Sequence, residues 1–249
     1  TLDVSALFFS GLSCEDAGHS DVFGGVPFAT THPIGGQAYG CMIVDEADGF
    51  PVFDGNQTAR FEVRAGDCSG NEGFDDCANN RNRHEIHETM VSVLNESTVR
   101  YSTSLFLPSQ SALKPKGNNI LILSQVDVAN STDFVALSYV MLNDQGELFI
   151  RTHEGFTWTP ANNYIITDDP FDRWINITYE IFTSSSESGF LKFYIDGELI
   201  GSEDRPTLLS DDAHISLRLG IYNAFMSDAQ ESFANQVMYV DGVSKSIGE

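Results

Sequence analysis

The run from Ile215 to Phe225, ISLRLGIYNAF, alternates large apolar side chains with other residues at a period of two, the spacing of a strand with one buried face. Leu217, Leu219 and Ile221 fall on one side, and Arg218, Gly220 and Tyr222 on the other. No long segment holds a 3.6-residue apolar period, and the best helical candidate is a short piece near Asp228 to Asn235. Further strands are expected at about 38–44, 60–64, 83–93, 99–107, 119–128, 134–142, 147–152, 174–182, 190–195 and 236–241. Turn formers separate them, notably Asn143 to Gly146, the SSSESG run from Ser184 to Gly189, and Asp196-Gly197. Residues 1 to about 58 read as mostly irregular, broken by Pro27, Pro33, Pro51 and paired glycines. Many strands, short connections and almost no helix imply an all-β chain folded as two packed antiparallel sheets, a sandwich or jelly roll. At 249 residues a single domain over 1–249 is expected.

Two further strands present the same kind of polar face. In Arg83-His84-Glu85-Ile86-His87-Glu88, Arg83, Glu85 and His87 share one side, and His84, Ile86 and Glu88 the other. In Ile120 to Val128, Gln125 and Asp127 share a face that Ser124, Val126 and Val128 oppose. Taken singly, these are ordinary surface residues of strands.

Thirteen basic against 36 acidic residues leave a net charge of -23, which excludes nucleic acid or an anionic membrane as the default partner. No window approaches the roughly 18 apolar residues of a membrane span. Four cysteines allow three pairings; Cys68–Cys77 is preferred because it closes a loop rich in Gly, Asn and Asp, contributing about 2–3 kcal/mol, and Cys14–Cys41 then remains. A metal site is the rival reading of the cysteines, but no CxxC pair supports it. With sequons at Asn56, Asn95, Asn130 and Asn176, these features imply a secreted protein, free to carry glycans if its source adds them.

His84 and His87 do not make a zinc motif, since the metalloprotease pattern needs a helix and a wider spacing. Glu85 and Glu88 do not make a hydrolase pair, because a strand turns them to opposite faces. Three motifs together carry a resemblance. Arg83 to Glu88 resembles the R-[TS]-E-L-R-E strand of jelly-roll alginate lyases, Gln125-Val126-Asp127 their Q-[IV]-H, and Arg218 to Asn223 their K-A-G-I-Y-N, in the same order. The surrounding chain, with RFEVRAGD at Arg60 to Asp67, Trp174 opening a strand and FLKFYIDG at Phe190 to Gly197, is more similar to glucuronan lyases and heparin-lyase-like proteins. The likeness spans about 58–242.

The resemblance implies a concave groove binding an anionic polysaccharide and cleavage of a polyuronate by β-elimination. The C5 proton is weakly acidic beside a charged carboxylate, so fixed donors must neutralise that carboxylate. Arg83 and Gln125 fit this task, and Tyr222 stands where the family's catalytic tyrosine stands. Nearby cations, Arg83 and Arg218, are expected to lower its titration from about 10, so that it takes the C5 proton and returns one to the leaving O4.

Two positions depart from the pattern: the family histidine is Asp127, and its second arginine is His87. In glucuronate and mannuronate the C5 hydrogen and O4 lie on one side of the ring, so one tyrosine serves both; guluronate and iduronate need two groups. Losing the histidine favours glucuronan, then polymannuronate, unless His87 or His153 restores a second base. Arg218, Glu85, His87 and Asp127 are expected to position sugar, and Arg151, Lys192 and Tyr194 to line the groove. Asp241, in the last-strand motif MYVDG, resembles a position that in some lectin-like sandwiches helps hold a structural calcium away from the cleft. No cofactor is expected in the chemistry, and a monomer is expected. The alternative is a non-catalytic lectin-like carbohydrate-binding module, because the same sandwich serves both.

Overall fold

The computed structural model describes residues 12–14, 21–33, 35–89, 91, 95–111, 113, 115, 120–224 and 235–248. The helical candidate at 228–235 lies, apart from Asn235, outside the described residues. Among the described residues seventeen strands follow one another: β1 (Leu12–Ser13), β2 (Phe28–Thr30), β3 (Cys41–Asp45), β4 (Gln57–Val63), β5 (Gly70–Asn71), β6 (Phe74–Asp75), β7 (Arg81–Glu88), β8 (Ser97–Phe106), β9 (Ile120–Ala129), β10 (Phe134–Leu142), β11 (Leu148–His153), β12 (Pro160–Thr167), β13 (Trp174–Thr183), β14 (Phe190–Ile195), β15 (Glu198–Asp204), β16 (His214–Ala224) and β17 (Gln236–Gly248).

They form the expected two-sheet sandwich. One sheet has eight strands in the order β1-β3-β4-β17-β8-β13-β14-β15; the other has seven, β12-β11-β10-β9-β16-β7-β2. β5 and β6 make a separate small hairpin. Every pairing within these sheets is antiparallel. The described residues before 58 contribute more strand than their breakers suggest, giving β2 to one sheet and β1 and β3 to the other.

The core lies between the sheets. Leu217, Leu219 and Ile221 of β16 are fully buried there, against a layer from the eight-stranded sheet that includes Phe61, Tyr101, Tyr179 and Phe193. Each such Leu or Ile contributes about 1.5–3 kcal/mol over its exposed state. Alternation in β7, β9 and β16 therefore has a physical cause: one face is committed to this layer, and the polar residues must take the other.

Turn chemistry matches the sequence. Asp196 and Gly197, at φ 50° and 86°, make the tight link from β14 to β15. Asn143 Oδ1 accepts from the Gln145 and Glu147 amides and closes the β10–β11 hairpin. β12 and β15 escape sequence reading because both are sheet edges with largely exposed residues, so neither needs an apolar face; β12 also opens on Pro160, which an edge tolerates.

Both expected disulfides form, Cys14–Cys41 and Cys68–Cys77, each with Cα atoms 5.4 Å apart. The second ties down the loop bearing β5, β6 and Asp76, beside the start of β7.

Candidate active site

The outer face of the seven-stranded sheet carries the polar residues of β7, β9 and β16 together. Arg218 pairs in register with His87 on one side and Gln125 on the other, and Tyr222 with Arg83 and Ile122. Between Arg218 and Tyr222 the register with β9 shifts, and Gly220 stands opposite Glu85 with φ +138°. A Cβ on Gly220 would collide with the His84 carbonyl oxygen, so only glycine fits. Across β16, Gln125 Nε2 donates to Glu85 Oε1 at 2.5 Å, from one neighbouring strand to the other.

Arg83 is held on three sides. Its Nε and Nη2 donate to Asp76 Oδ1 at 2.9 and 2.7 Å, and its Nη1 donates to Glu85 Oε2 at 3.3 Å. Its guanidinium carbon lies 4.0 Å from the centroid of the Tyr222 ring, a stacked cation–π contact. Burial works against the Arg83 charge, but Glu85 and Asp76 outweigh it and keep the group protonated. Asp76 is itself fully buried, with His32 Nδ1 at 2.9 Å and Ser69 Oγ donating at 2.7 Å. Burial works against its charge too, and the bonds from His32, Arg83 and Ser69 prevail, holding the carboxyl below its ordinary range.

Burial pushes the Tyr222 phenol up, and the Arg83 and Arg81 guanidiniums pull it down without cancelling that rise. The expected lowering is therefore corrected. Arg83 lies over the ring, and it is Arg81 that hydrogen-bonds the Tyr222 side chain.

Asp127 lies wholly beneath the surface, its Oδ2 2.5 Å from Arg218 Nε, with the N–H turned off the line of a hydrogen bond. Burial pushes this carboxyl up to about 7 against the pull of Arg218. At neutral pH Asp127 thus offsets only part of the Arg218 charge.

Above these groups runs a groove of about 530 Å³. Arg81, Arg83, Arg151 and Arg218 line it, with Gln125, Tyr139, His153, Trp158 and Tyr222, and no acidic residue is among the described lining. A chain of net charge -23 thus carries a locally cationic cleft. Chemically, the cleft offers donors for a carboxylate and two phenols, of which Tyr222 is the one beside Arg81 and Arg83.

A family model described as polysaccharide lyase matches residues 46–244. The chain belongs to the polysaccharide lyase family. Comparison with curated proteins finds no match to this lyase. Among solved structures, it resembles an endo-β-1,4-glucuronan lyase of the fungus Trichoderma reesei, at 15% identity and TM-score 0.60, over 93% of this chain and 92% of that one. The alginate lyase AlgAT5 of polysaccharide lyase family 7 aligns at 14% identity and TM-score 0.59, over 93% and 99%. The family 7 alginate lyase A1-II′ aligns at 12% identity and TM-score 0.61, over 92% and 98%. At these identities the likeness is one of fold, the β-jelly roll.

Of the residues singled out in the sequence of the lyase, Tyr222, Gln125, Arg83, Arg218 and Arg151 line one groove. Glu85 lies behind it, bonded to Arg83 and Gln125, and Asp127 beneath Arg218. His87 sits across from Arg218, its imidazole pushed down by burial and by that arginine, and it is not among the groove lining. Lys192 and Tyr194 do not belong to the site. They sit on β14 of the other sheet, turned away from the buried Leu191 and Phe193, with Lys192 paired to Glu180 and Tyr194 beneath Arg100. Asp241 is engaged with backbone: Oδ2 accepts from the Phe53 and Asp54 amides and Oδ1 from that of Gly242. Among the described residues no group of three or more His, Cys, Asp or Glu is placed to hold a metal.

Glu88 faces the core, accepting from Tyr101 at 2.7 Å and Lys245 at 2.6 Å, so it forms no carboxylate pair with Glu85. No helix among the described residues is long and apolar enough to cross a membrane. Asn56 and Asn95 are exposed, whereas Asn176 Nδ2 donates to Ser102 and Ser104.

Several groove residues were missed. Arg81 shares the parity of Arg83 and would have emerged had the strand been started two residues earlier. Ile122 faces outward because a bulge turns both Leu123 and Ser124 inward, reversing parity along β9. Tyr139 and Trp158 had no local signal.

Proposed function

We propose that this lyase cleaves a polyuronate by β-elimination, with glucuronan ahead of polymannuronate as substrate, and that Tyr222 is both acid and base. The carrying observation is the Tyr222 phenol, hydrogen-bonded by Arg81 with Arg83 over its ring, on a groove lined by four arginines, a glutamine and a second tyrosine, Tyr139, with no carboxylate in its described lining. The uronate carboxylate sits against Gln125, which keeps one amide N–H beyond its bond to Glu85, and against Arg218. Arg83, bound by two carboxylates and stacked on Tyr222, supplies positive potential to the phenolate and the developing enolate. Tyr222 removes the C5 proton, the C4–O4 bond breaks as the C4–C5 double bond forms, and the phenol returns a proton to O4.

The substrate order rests on the shortage of a second base. Asp127, in the histidine's place, is fully buried, and His153 Nδ1 lies 3.3 Å from the Ala136 carbonyl oxygen. Such a site suits a uronate whose C5 hydrogen and O4 share one ring face. Resemblance in fold to glucuronan and alginate lyases supports the polymer class. Two disulfides support secretion into an oxidising environment.

The test is ultraviolet absorbance of the unsaturated product with glucuronan, polymannuronate, polyguluronate and heparin in parallel. Absorbance should rise with glucuronan or polymannuronate. A rise confined to polyguluronate or heparin would overturn the single-tyrosine mechanism, and no rise with any polymer would overturn the polyuronate reading.

The two buried acids give opposite pH trends. Because burial raises the Tyr222 phenol, its basic form is scarce at neutrality, and kcat should climb as pH rises above 7. Protonating Asp127 below about 7 leaves the Arg218 charge to the groove, so KM should fall as pH is lowered. Separate kcat and KM profiles at fixed ionic strength check both; a flat kcat between neutral and alkaline pH would remove Tyr222 as base.

A further inference from the structure

Trp158 is the one large aromatic lining the groove that is mostly exposed, at 58% of its surface. Trp174, by contrast, is packed between Phe53 and Phe106 on the other sheet. Leaving an indole in water forgoes the burial that normally accompanies so large an apolar surface. The loop that carries it, between β11 and β12, is nonetheless fixed. The Glu154 amide donates to the Thr159 carbonyl at 2.8 Å, and Thr157 Oγ1 to the Glu154 carbonyl at 2.8 Å. From just past the end of β15, Arg205 Nη1 donates to the Gly155 carbonyl at 2.8 Å and Nη2 to that of Leu137 at 3.1 Å. Trp158 is thus presented rather than loose, with its edge against His153 at 6.3 Å between centroids, and His153 edge-on to Tyr139 at 4.9 Å.

Arg151, which lines the same end, has no acidic partner among the described residues. It donates from Nε to Asn163 Oδ1 at 3.0 Å, and burial alone pushes its guanidinium down. In a chain with 36 acidic and 13 basic residues, an arginine facing a groove without a carboxylate is a site for one brought by a ligand.

We infer that Trp158 and Arg151 form a distal uronate subsite, in which the indole stacks on the apolar C–H face of a pyranose ring and the guanidinium binds its carboxylate. The subsite rests on the polyuronate reading above and adds where along the polymer the lyase holds its substrate. Three strand spacings, about 14 Å, separate β16, which carries Tyr222, from β11, which carries Arg151. That exceeds the width of one pyranose, so the ring held here is not the ring over Tyr222. Because the loop is already fixed, little ordering is lost on binding.

The test compares wild type, Trp158→Ala and Trp158→Phe on glucuronan and polymannuronate and on size-separated oligomers of each. Trp158→Ala should raise KM for polymer about three- to tenfold with kcat retained, and the loss should grow with oligomer length. Trp158→Phe should recover most of it. Polymer binding should also change tryptophan emission in wild type, and that change should vanish in Trp158→Phe, where only the packed Trp174 remains. An equal loss at every length, or an unchanged KM with unchanged emission, overturns the subsite while product formation by wild type leaves the lyase reading intact. A change in emission without product from either polymer upholds the subsite and overturns the elimination chemistry. Neither signal in wild type overturns both.

Discussion

Tyr222→Phe should lower turnover by about 10³-fold or more while polyuronate affinity stays within about a factor of two. The lower bound follows from general acid–base catalysis, typically 10²–10⁴-fold for one positioned group, because this phenol handles both proton transfers. Binding survives because phenylalanine keeps the ring that lies under Arg83 and packs against the small apolar cluster containing Ile122. Stability should change little, since the hydroxyl faces the groove and Arg81 retains the Asn79 carbonyl as an acceptor. Initial rates of ultraviolet product formation, with affinity measured separately by calorimetry, give the two numbers. A variant that keeps a tenth of wild-type turnover would show that the proton is taken elsewhere, with His153 the next group to test.

Asp76→Asn carries the second large effect, on stability and rate together. The carboxylate, itself fully buried, receives hydrogen bonds from Arg83 Nε and Nη2 and has the buried His32 and Ser69 as further partners. Asparagine removes the charge and leaves Glu85 as the remaining carboxylate on Arg83, and breaking a buried pair costs about 3–5 kcal/mol. In a protein of this size that corresponds to a fall in Tm of roughly 6–20 °C. Turnover should drop about 10²-fold as Arg83 loses its place over Tyr222.

The pH signature is distinctive. Because the folded Asp76 carboxyl lies below its ordinary value, its contribution is complete above about pH 4 and is lost as pH falls through the lowered folded value. The variant should therefore show a weaker acid dependence of Tm than wild type. Thermal unfolding from pH 3 to 7 alongside steady-state kinetics checks this, and an unchanged Tm with unchanged turnover would mean that Arg83 is placed by Glu85 alone.

The sequence showed the parts of the site that share a strand. Arg83 with Glu85, Gln125 with Asp127, and Arg218 with Tyr222 were paired correctly, because a core-facing apolar side forces the intervening residues outward. The same rule could not reach Asp76, which comes from a disulfide-closed loop with no periodicity, or Trp158, which sits in a hairpin loop. It also misplaced Lys192 and Tyr194. Period two tells which residues of a strand share a face, but it does not tell which sheet the strand joins, and β14 joins the sheet opposite the groove.

The direction of the Tyr222 shift was misjudged for a related reason. Neighbouring cations can be counted in a sequence, whereas burial, the larger effect here, is a property of packing. What the sequence determined by itself was the alternation, the turns, the preference for the local Cys68–Cys77 pair and the three polar faces, all set by interactions local in the chain or by the need to bury one side of a strand. What only the tertiary structure decided was how those faces meet. Gly220 lets β16 lie against the β7 backbone, Gln125 meets Glu85 across it, Asp76 reaches Arg83 from its loop, and acids left beneath or behind the surface leave a cationic groove in an acidic chain. Those outcomes depend on strand order and burial, which contacts distant in sequence impose.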